Sequence, residues 1–296
     1  MIAGLGERER RSRFENAMTT DRSAAGASKG TIVLIHGLWL SSRSWEHWVD
    51  RYAEAGYQVI APGWPSMDVD VEVLRKDPTV MNGLGVVEVA DRYETLLRSM
   101  DTPPILMGHS LGGLVVQILL DRGLGSAGVA IHPAPPRGVL HLSISSMRSW
   151  APVLTKPANR KRTVSLTPKQ WHYIFTNTMS VQDSKAAYAR YHVPAPGRPL
   201  FQIAAATINP GAATKVNFDN AERAPLLLIA GGADHTVPAA MVRENLKRYR
   251  KSTAVTDLHE YPDRSHFTAG SPGWEEVADY ALAWVEQHKN AAPTSP

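Results

Sequence analysis

The stretch LMGHSLGGLV, residues 106–115, decides how the rest of this chain is read. An apolar run of the kind that fills an interior strand stops at Gly108, His109 and Ser110, and an apolar helical pattern starts at Leu111. With strand and helix this close, Ser110 sits on a tight turn between them. The residues G-H-S-L-G match G-x-S-x-G, in which a serine on a strained strand-to-helix turn is pushed out of the fold above the helix N-terminus. Gly108 and Gly112 fall where a Cβ would crowd the turn, and Gly113 where the helix approaches the sheet. The pattern alone is short and weak; its setting between an apolar strand and a buried helix gives it weight. The plainer alternative is a glycine-rich turn whose serine only caps the helix. The setting favours a nucleophile.

Outward from this turn, the same alternation recurs. TIVLIHG (31–37), YQVIAPG (57–63), PILMGHS (104–110), AGVAIHPAP (127–135), APLLLIAGG (224–232) and AVTDLHEYP (254–262) read as strands. Short apolar runs of this kind suit strands covered on both faces. Helical spacing appears over 42–56, 84–100, 111–123, 238–250 and 273–288. Strands alternating with helices predict a doubly wound α/β fold with a mostly parallel sheet. Between residues 137 and 202 the alternation fails, although TPKQWHYIFTN (167–177) carries a helical signal. A structureless loop of that length is uncommon in a compact domain, so the segment is expected to be a helical cap, or lid, over the sheet edge. The expected organisation is a core of residues 30–136 and 203–290, a cap of 137–202, a loosely attached or disordered tail over 1–29 and a short tail over 291–296.

Composition narrows the chemistry. The 296 residues include no cysteine, which excludes disulfides, thiolate metal sites and a thiol nucleophile and points to a reducing compartment, by default the cytoplasm. A net charge of +4 gives no reason to expect nucleic acid as a partner. No run reaches the roughly 18 apolar residues of a membrane helix, and the N-terminal stretch is charged where a signal peptide would be apolar. The charge is nevertheless uneven. From Arg137 to Arg198 there are ten basic residues against a single acid, Asp183. An anionic small molecule or an acidic partner surface would use such a field; a solvated face on lid helices is the alternative.

A serine nucleophile needs a base and a group that orients the base. Of eleven histidines, His266 in PDRSHF follows the last strand and precedes the last helix, on a loop at the same sheet edge as Ser110. His36, His109 and His132 also end strands, but His36 opens the HG turn and His109 adjoins the serine. For the acid, Asp234 follows the apolar strand and two glycines of LLLIAGG, where its carboxylate can accept the imidazole Nδ1–H. Asp263 and Asp219 are placed less well. Acyl transfer also needs an oxyanion hole. Its expected donors are the backbone N–H groups of Leu111 and, in HGLW, of Leu38, with Trp39 as competitor. Candidate substrate contacts are Trp39, His109, Trp150, Trp171 and Phe175. Trp45 and Trp48 are open to both pocket and core roles, their helical spacing favouring core.

At this point the chain resembles the α/β-hydrolase superfamily, through HGLW, GHSLGG, GGADHTVP and RSHF, over roughly residues 30 to 290. It is most similar to the small bacterial esterase and cofactor-free haloperoxidase-like branch. The resemblance implies a triad of Ser110, Asp234 and His266, no cofactor or metal, and a cap inserted after the sixth strand. One departure is visible: members usually begin with an antiparallel hairpin, whereas only a polar tail precedes Thr31 here. The implied reaction is hydrolysis of a carboxylic ester of small to medium acyl length through an acyl-enzyme. Perhydrolase or haloperoxidase-like chemistry and C–C hydrolysis or lyase chemistry on the same triad are the alternatives, with a non-catalytic small-molecule receptor behind them.

Overall fold

The computed structural model describes residues 28–139, 141 and 143–289; the segments expected to be tails, 1–29 and 291–296, lie almost wholly outside them. All six predicted strands form: β1 (Thr31–Ile35), β2 (Gln58–Ile60), β3 (Ile105–His109), β4 (Ala127–Ile131), β7 (Leu226–Gly231) and β8 (Thr256–Tyr261). They make one sheet of order β2-β1-β3-β4-β7-β8, and every pairing is parallel. The fold is therefore the predicted doubly wound α/β arrangement, with ten α-helices among the described residues.

Burial on both faces explains the unbroken apolar strands. Val33 and Ile35 belong to one core cluster with Leu106, Ala130 and Leu228. Their alternates Ile32 and Leu34 join Ile105, Met107, Val129 and Leu227 in the other. The first layer is closed by α3 (Val86–Arg98), α4 (Leu111–Asp121) and α9 (Ala239–Arg248). The second is closed by α1 (Glu46–Glu54) and α10 (Trp274–His288). Trp45 and Trp48 settle in this second layer, fully buried, their rings 5.1 Å apart and edge to face. They are core, not pocket wall.

Strand ends are level where the site forms. Ile35 pairs with Gly108, and His109 with Ile131, which in turn pairs with Ile229. The chain leaves β1 toward β2 on one side and places β3 on the other, so the order reverses between β1 and β3. Crevices beyond such a switch point are where open α/β sheets bind ligands, and the HGLW turn and Ser110 lie at the ends of those two strands.

The segment after β4 holds α5 (Ile144–Leu154), a two-stranded antiparallel pair of β5 (Thr163–Val164) and β6 (Ala195–Pro196), α6 (Pro168–Ile174), α7 (Val181–Tyr191) and α8 (Arg198–Ala205). Helix α6 starts where the sequence predicts, with Pro168 in its first turn. Thr167 Oγ1 accepts from Gln170 N, and Gln170 Oε1 from Thr167 N, at 3.3 and 2.8 Å. Two corrections follow. The boundary drawn at residue 202 falls inside α8, which begins at a proline-marked turn and buries Leu200 and Ile203 on one side. The segment also follows the fourth strand in chain order, not the sixth, because no described strand precedes Thr31. Among the described residues, no helix is long and apolar enough to cross a membrane.

Candidate active site

Ser110 links β3 to α4 with φ +56° and ψ −117°, a backbone conformation that L-residues rarely hold. Four hydrogen bonds pin it there: Ser110 N donates to Ile131 O at 2.9 Å, and Ser110 O accepts from Gly113 N, Leu114 N and Ala134 N at 3.0, 3.2 and 2.9 Å. The glycines are needed for contact. A Cβ on Gly108 would lie 2.2 Å from Gly112 O, and one on Gly112 would lie 2.1 Å from Ile35 O. On the facing turn, a Cβ on Gly37 would meet Ser110 Cβ at 2.8 Å. The main chains of β1, β3 and α4 therefore touch directly.

The sequence placed His266 and Asp234 at this edge, and the structure brings both to the serine. Ser110 Oγ lies 3.0 Å from His266 Nε2, and His266 Nδ1 lies 2.6 Å from Asp234 Oδ2. Asp234 Oδ1 accepts the N–H groups of Thr236 and Val237 at 2.7 and 2.9 Å. All three residues are buried, the serine most accessible at 7%. Asp219 and Asp263, the alternative acids, are exposed. Burial acts to raise the Asp234 carboxyl, but the His266 charge and the hydrogen bonds from His132 and His266 outweigh it and hold it well below the usual carboxylate range.

His132 was not assigned to the site by the sequence. Its Nδ1 lies 2.8 Å from Asp234 Oδ2, the oxygen that also meets His266. The missing information was strand order: β4 runs between the strand that ends at Ser110 and the strand that leads to Asp234, so a residue just past its end faces both. His132, Asp234 and His266 also form the one group among the described residues whose ligating atoms come within 4.8 Å of one another. Both Nδ1 atoms already face one carboxylate oxygen at hydrogen-bond distance, and a cation would have to displace those bonds.

The oxyanion candidates are backbone groups. Leu111 opens α4, so its N–H has no acceptor within the helix. Leu38 is buried in the turn after β1. Next to it, Trp39 has φ +62°, and the inserted segment holds it twice: its Nε1 donates to Val164 O and its carbonyl accepts from Val193 N, both at 3.0 Å. His36 Nδ1 donates to Gly37 O at 3.0 Å, and its ring stacks on Trp64 at 4.6 Å. Burial lowers this imidazole to about 4, keeping it neutral beside the turn.

The candidate substrate contacts separate. Phe175 packs beside the base, its ring 5.2 Å from that of His266, and its carbonyl accepts from Phe267 N at 2.9 Å. Trp39 meets Phe175 edge on at 6.2 Å. Trp171 is fully buried, stacked on Phe175 at 4.4 Å and packed against Tyr188, His192 and Phe267; it supports Phe175 from behind. His109 turns away from the serine, its Nε2 2.6 Å from His266 O, and braces the loop that carries the base. Trp150 lines a cavity of about 340 Å³ with Pro135, Val139, Leu154, Ile203 and Met241, and no triad residue borders it. Of the ten basic residues in the segment, Arg190 pairs with Glu46, Arg198 with Glu88, Arg148 lies over the Tyr173 ring and Arg137 donates to Ala206 O.

Comparisons with known proteins agree with this architecture. The profile of the alpha/beta hydrolase family matches residues 32–280. No curated protein matches the chain. Among solved structures, a monoacylglycerol lipase from Paleococcus ferrophilus superposes with a TM-score of 0.62 at 22% identity, covering 89% of this chain and 96% of that one. An extracellular alpha/beta-hydrolase from a Paenibacillus species gives 0.61 at 17% identity, covering 86% and 98%. A methylesterase from Arabidopsis gives 0.59 at 16% identity, covering 87% and 99%. At these identities the likeness is one of fold.

Proposed function

The chain belongs to the alpha/beta hydrolase family, and on that footing we propose that it is a serine hydrolase of carboxylic esters. The observation that carries this reading is the unbroken relay from Ser110 Oγ through His266 to Asp234, at 3.0 and 2.6 Å, starting on a strained turn at the sheet's switch point. The solved structures of similar fold include a lipase and a methylesterase, which agrees with ester chemistry.

In this reading His266 Nε2 takes the Oγ proton as Ser110 attacks the ester carbonyl carbon. The carbonyl electron pair moves onto oxygen, where the N–H groups of Leu111 and Leu38 receive it; each such donor is worth about 3 kcal/mol to the transition state. Collapse of the tetrahedral species breaks the C–O bond, and the leaving alkoxide takes the proton from His266. Water then attacks the acyl-enzyme with His266 again as base, and Ser110 leaves with its proton restored. Asp234 keeps its negative charge throughout and holds the Nδ1–H tautomer.

Residues 137–208 act as the cap in this reading, and Phe175 and Trp39 form the apolar wall beside the reacting carbonyl. A fluorophosphonate probe tests the assignment: it should label the wild type and leave Ser110→Ala unlabelled, and a folded wild type that resists the probe defeats the proposal. Screening neutral and carboxylated esters, lactones and C–C substrates, each with and without peroxide, then separates ester hydrolysis from perhydrolysis and carbon–carbon cleavage.

A further inference from the structure

A second histidine, His132, meets the carboxylate of Asp234. His132 stands just beyond β4 with φ +47°, a region that histidine, asparagine and aspartate enter more readily than other side chains. Its ring is fully buried. A carboxylate oxygen only accepts, so His132 and His266 both donate Nδ1–H to Asp234 Oδ2, at 2.8 and 2.6 Å. In the neutral rings that leaves both Nε2 atoms without hydrogen. For His266 this nitrogen meets Ser110; for His132 it is buried with no hydrogen-bond partner. The ring packs against the end of β7: a Cβ on Gly231 would lie 2.4 Å from His132 Cε1 and equally close to Arg264 O. A left-handed backbone and an orphaned nitrogen are each unfavourable, and both accompany one hydrogen bond to Asp234.

We propose that His132 is a positioning residue of the triad, whose Nδ1–H fixes the Asp234 carboxylate and, by sharing Oδ2 with His266, weakens that oxygen's hold on the imidazolium formed during catalysis. The inference rests on the serine-hydrolase reading above. An oxygen that already accepts one N–H attracts a second less strongly, so Asp234 stabilises an imidazolium at His266 less than it would without His132. The charged and titratable groups facing the pair are Asp234, His109 and Arg264. Arg264 is engaged with the carbonyls of Pro272 and Gly273 and with Glu276. His235, next to Asp234, turns to Tyr173 O instead. Burial lowers His132 itself, against the pull of Asp234, so the ring adds a donor without adding a charge.

The test is the pH dependence of kcat/KM for a short-chain p-nitrophenyl ester with the wild type, His132→Ala and His132→Asn. Asparagine keeps a side-chain N–H and tolerates the left-handed backbone. The acid limb should move up by about one pH unit in His132→Ala and return toward the wild-type position in His132→Asn. A folded His132→Ala variant whose acid limb coincides with that of the wild type overturns the proposal. The proton spectrum of the wild type gives a second readout that does not depend on any variant folding: two far-downfield imidazole N–H signals are expected, and a single one overturns the shared oxygen. Fluorophosphonate labelling of the wild type separates the failures. An unlabelled serine removes the triad itself, whereas a labelled serine with an unmoved acid limb removes only the role of His132.

Discussion

Replacing Gly112 with alanine sets a Cβ 2.1 Å from Ile35 O, 2.7 Å from the Ile35 carbonyl carbon and 2.8 Å from His36 O. Carbon-to-oxygen contacts normally stop near ~3.3 Å, so about 1 Å of movement is required. All three obstacles are main-chain atoms of β1 and the turn that follows it, and no rotamer change can clear them. Overpacking costs about 1–3 kcal/mol, with more expected when the backbone must yield. Removing a helical glycine returns up to ~1 kcal/mol of propensity. A net loss of about 2 kcal/mol or more remains, equivalent to a fall in Tm of roughly 4–8 °C for a domain of this size. Gly113→Ala is the matched control: it is the next residue on the same helix, with the same propensity gain, but its contacts are nearly 1 Å looser, 3.0 Å to Pro133 Cβ and 3.1 Å to Gly108 O and Pro133 Cα. It should fall within ~1 kcal/mol of the wild type. Because Ser110 rides on α4, a 1 Å displacement should also lower ester turnover about a hundredfold in Gly112→Ala. Urea unfolding followed by tryptophan fluorescence and a p-nitrophenyl ester assay read both effects. A Gly112→Ala protein that melts and turns over like the wild type would show that α4 does not rest on β1 in this way.

Other outcomes follow from the same geometry. Asp234→Asn should keep the fold but favour the wrong His266 tautomer, lowering kcat by about ten-thousandfold with little change in KM; a loss under tenfold in a steady-state assay would contradict the relay. Stability should decline as the solution is acidified from pH 6.5. Burial lowers His36 and His192 from 6.5 to about 4, so between those values the unfolded chain binds protons that the native state refuses. Each group removes about 3 kcal/mol across that window. Asp234 extends the decline below the usual carboxylate range, since its depressed carboxyl stabilises the native state only while ionised. Thermal melts over this range check the sign, and a flat Tm between pH 6.5 and 4 would contradict it.

Much of the core was legible because its strands are buried on both faces: continuous apolar runs such as Ile32–Ile35 have few other uses, and glycines at 108, 112 and 113 mark a turn where main chains touch. Ser110, Asp234 and His266 could be aligned because each follows a strand at the same sheet edge. The role of His132 could not, because it depends on β4 lying between β3 and β7, and strand order leaves no local signature. The inserted segment shows in the sequence only as one block, for a related reason. Its helices are short, β5 and β6 have two residues each, and an aromatic at helical spacing looks alike whether it faces a ligand or a neighbouring ring. Trp171 and Phe175 lie on adjoining turns, yet only Phe175 reaches the His266 ring.

Trp39 constrains how this scaffold could be rebuilt. The turn offering Leu38 N–H is fastened to residues 164 and 193 through the Trp39 indole and carbonyl, and Phe267, beside the base, hangs from the carbonyl of Phe175. Grafting a foreign lid to change specificity would cut all three tethers unless the transplant supplies an acceptor and a donor for Trp39 and a carbonyl for Phe267. Chimeras designed on pocket shape alone should therefore lose turnover with every substrate rather than switch preference.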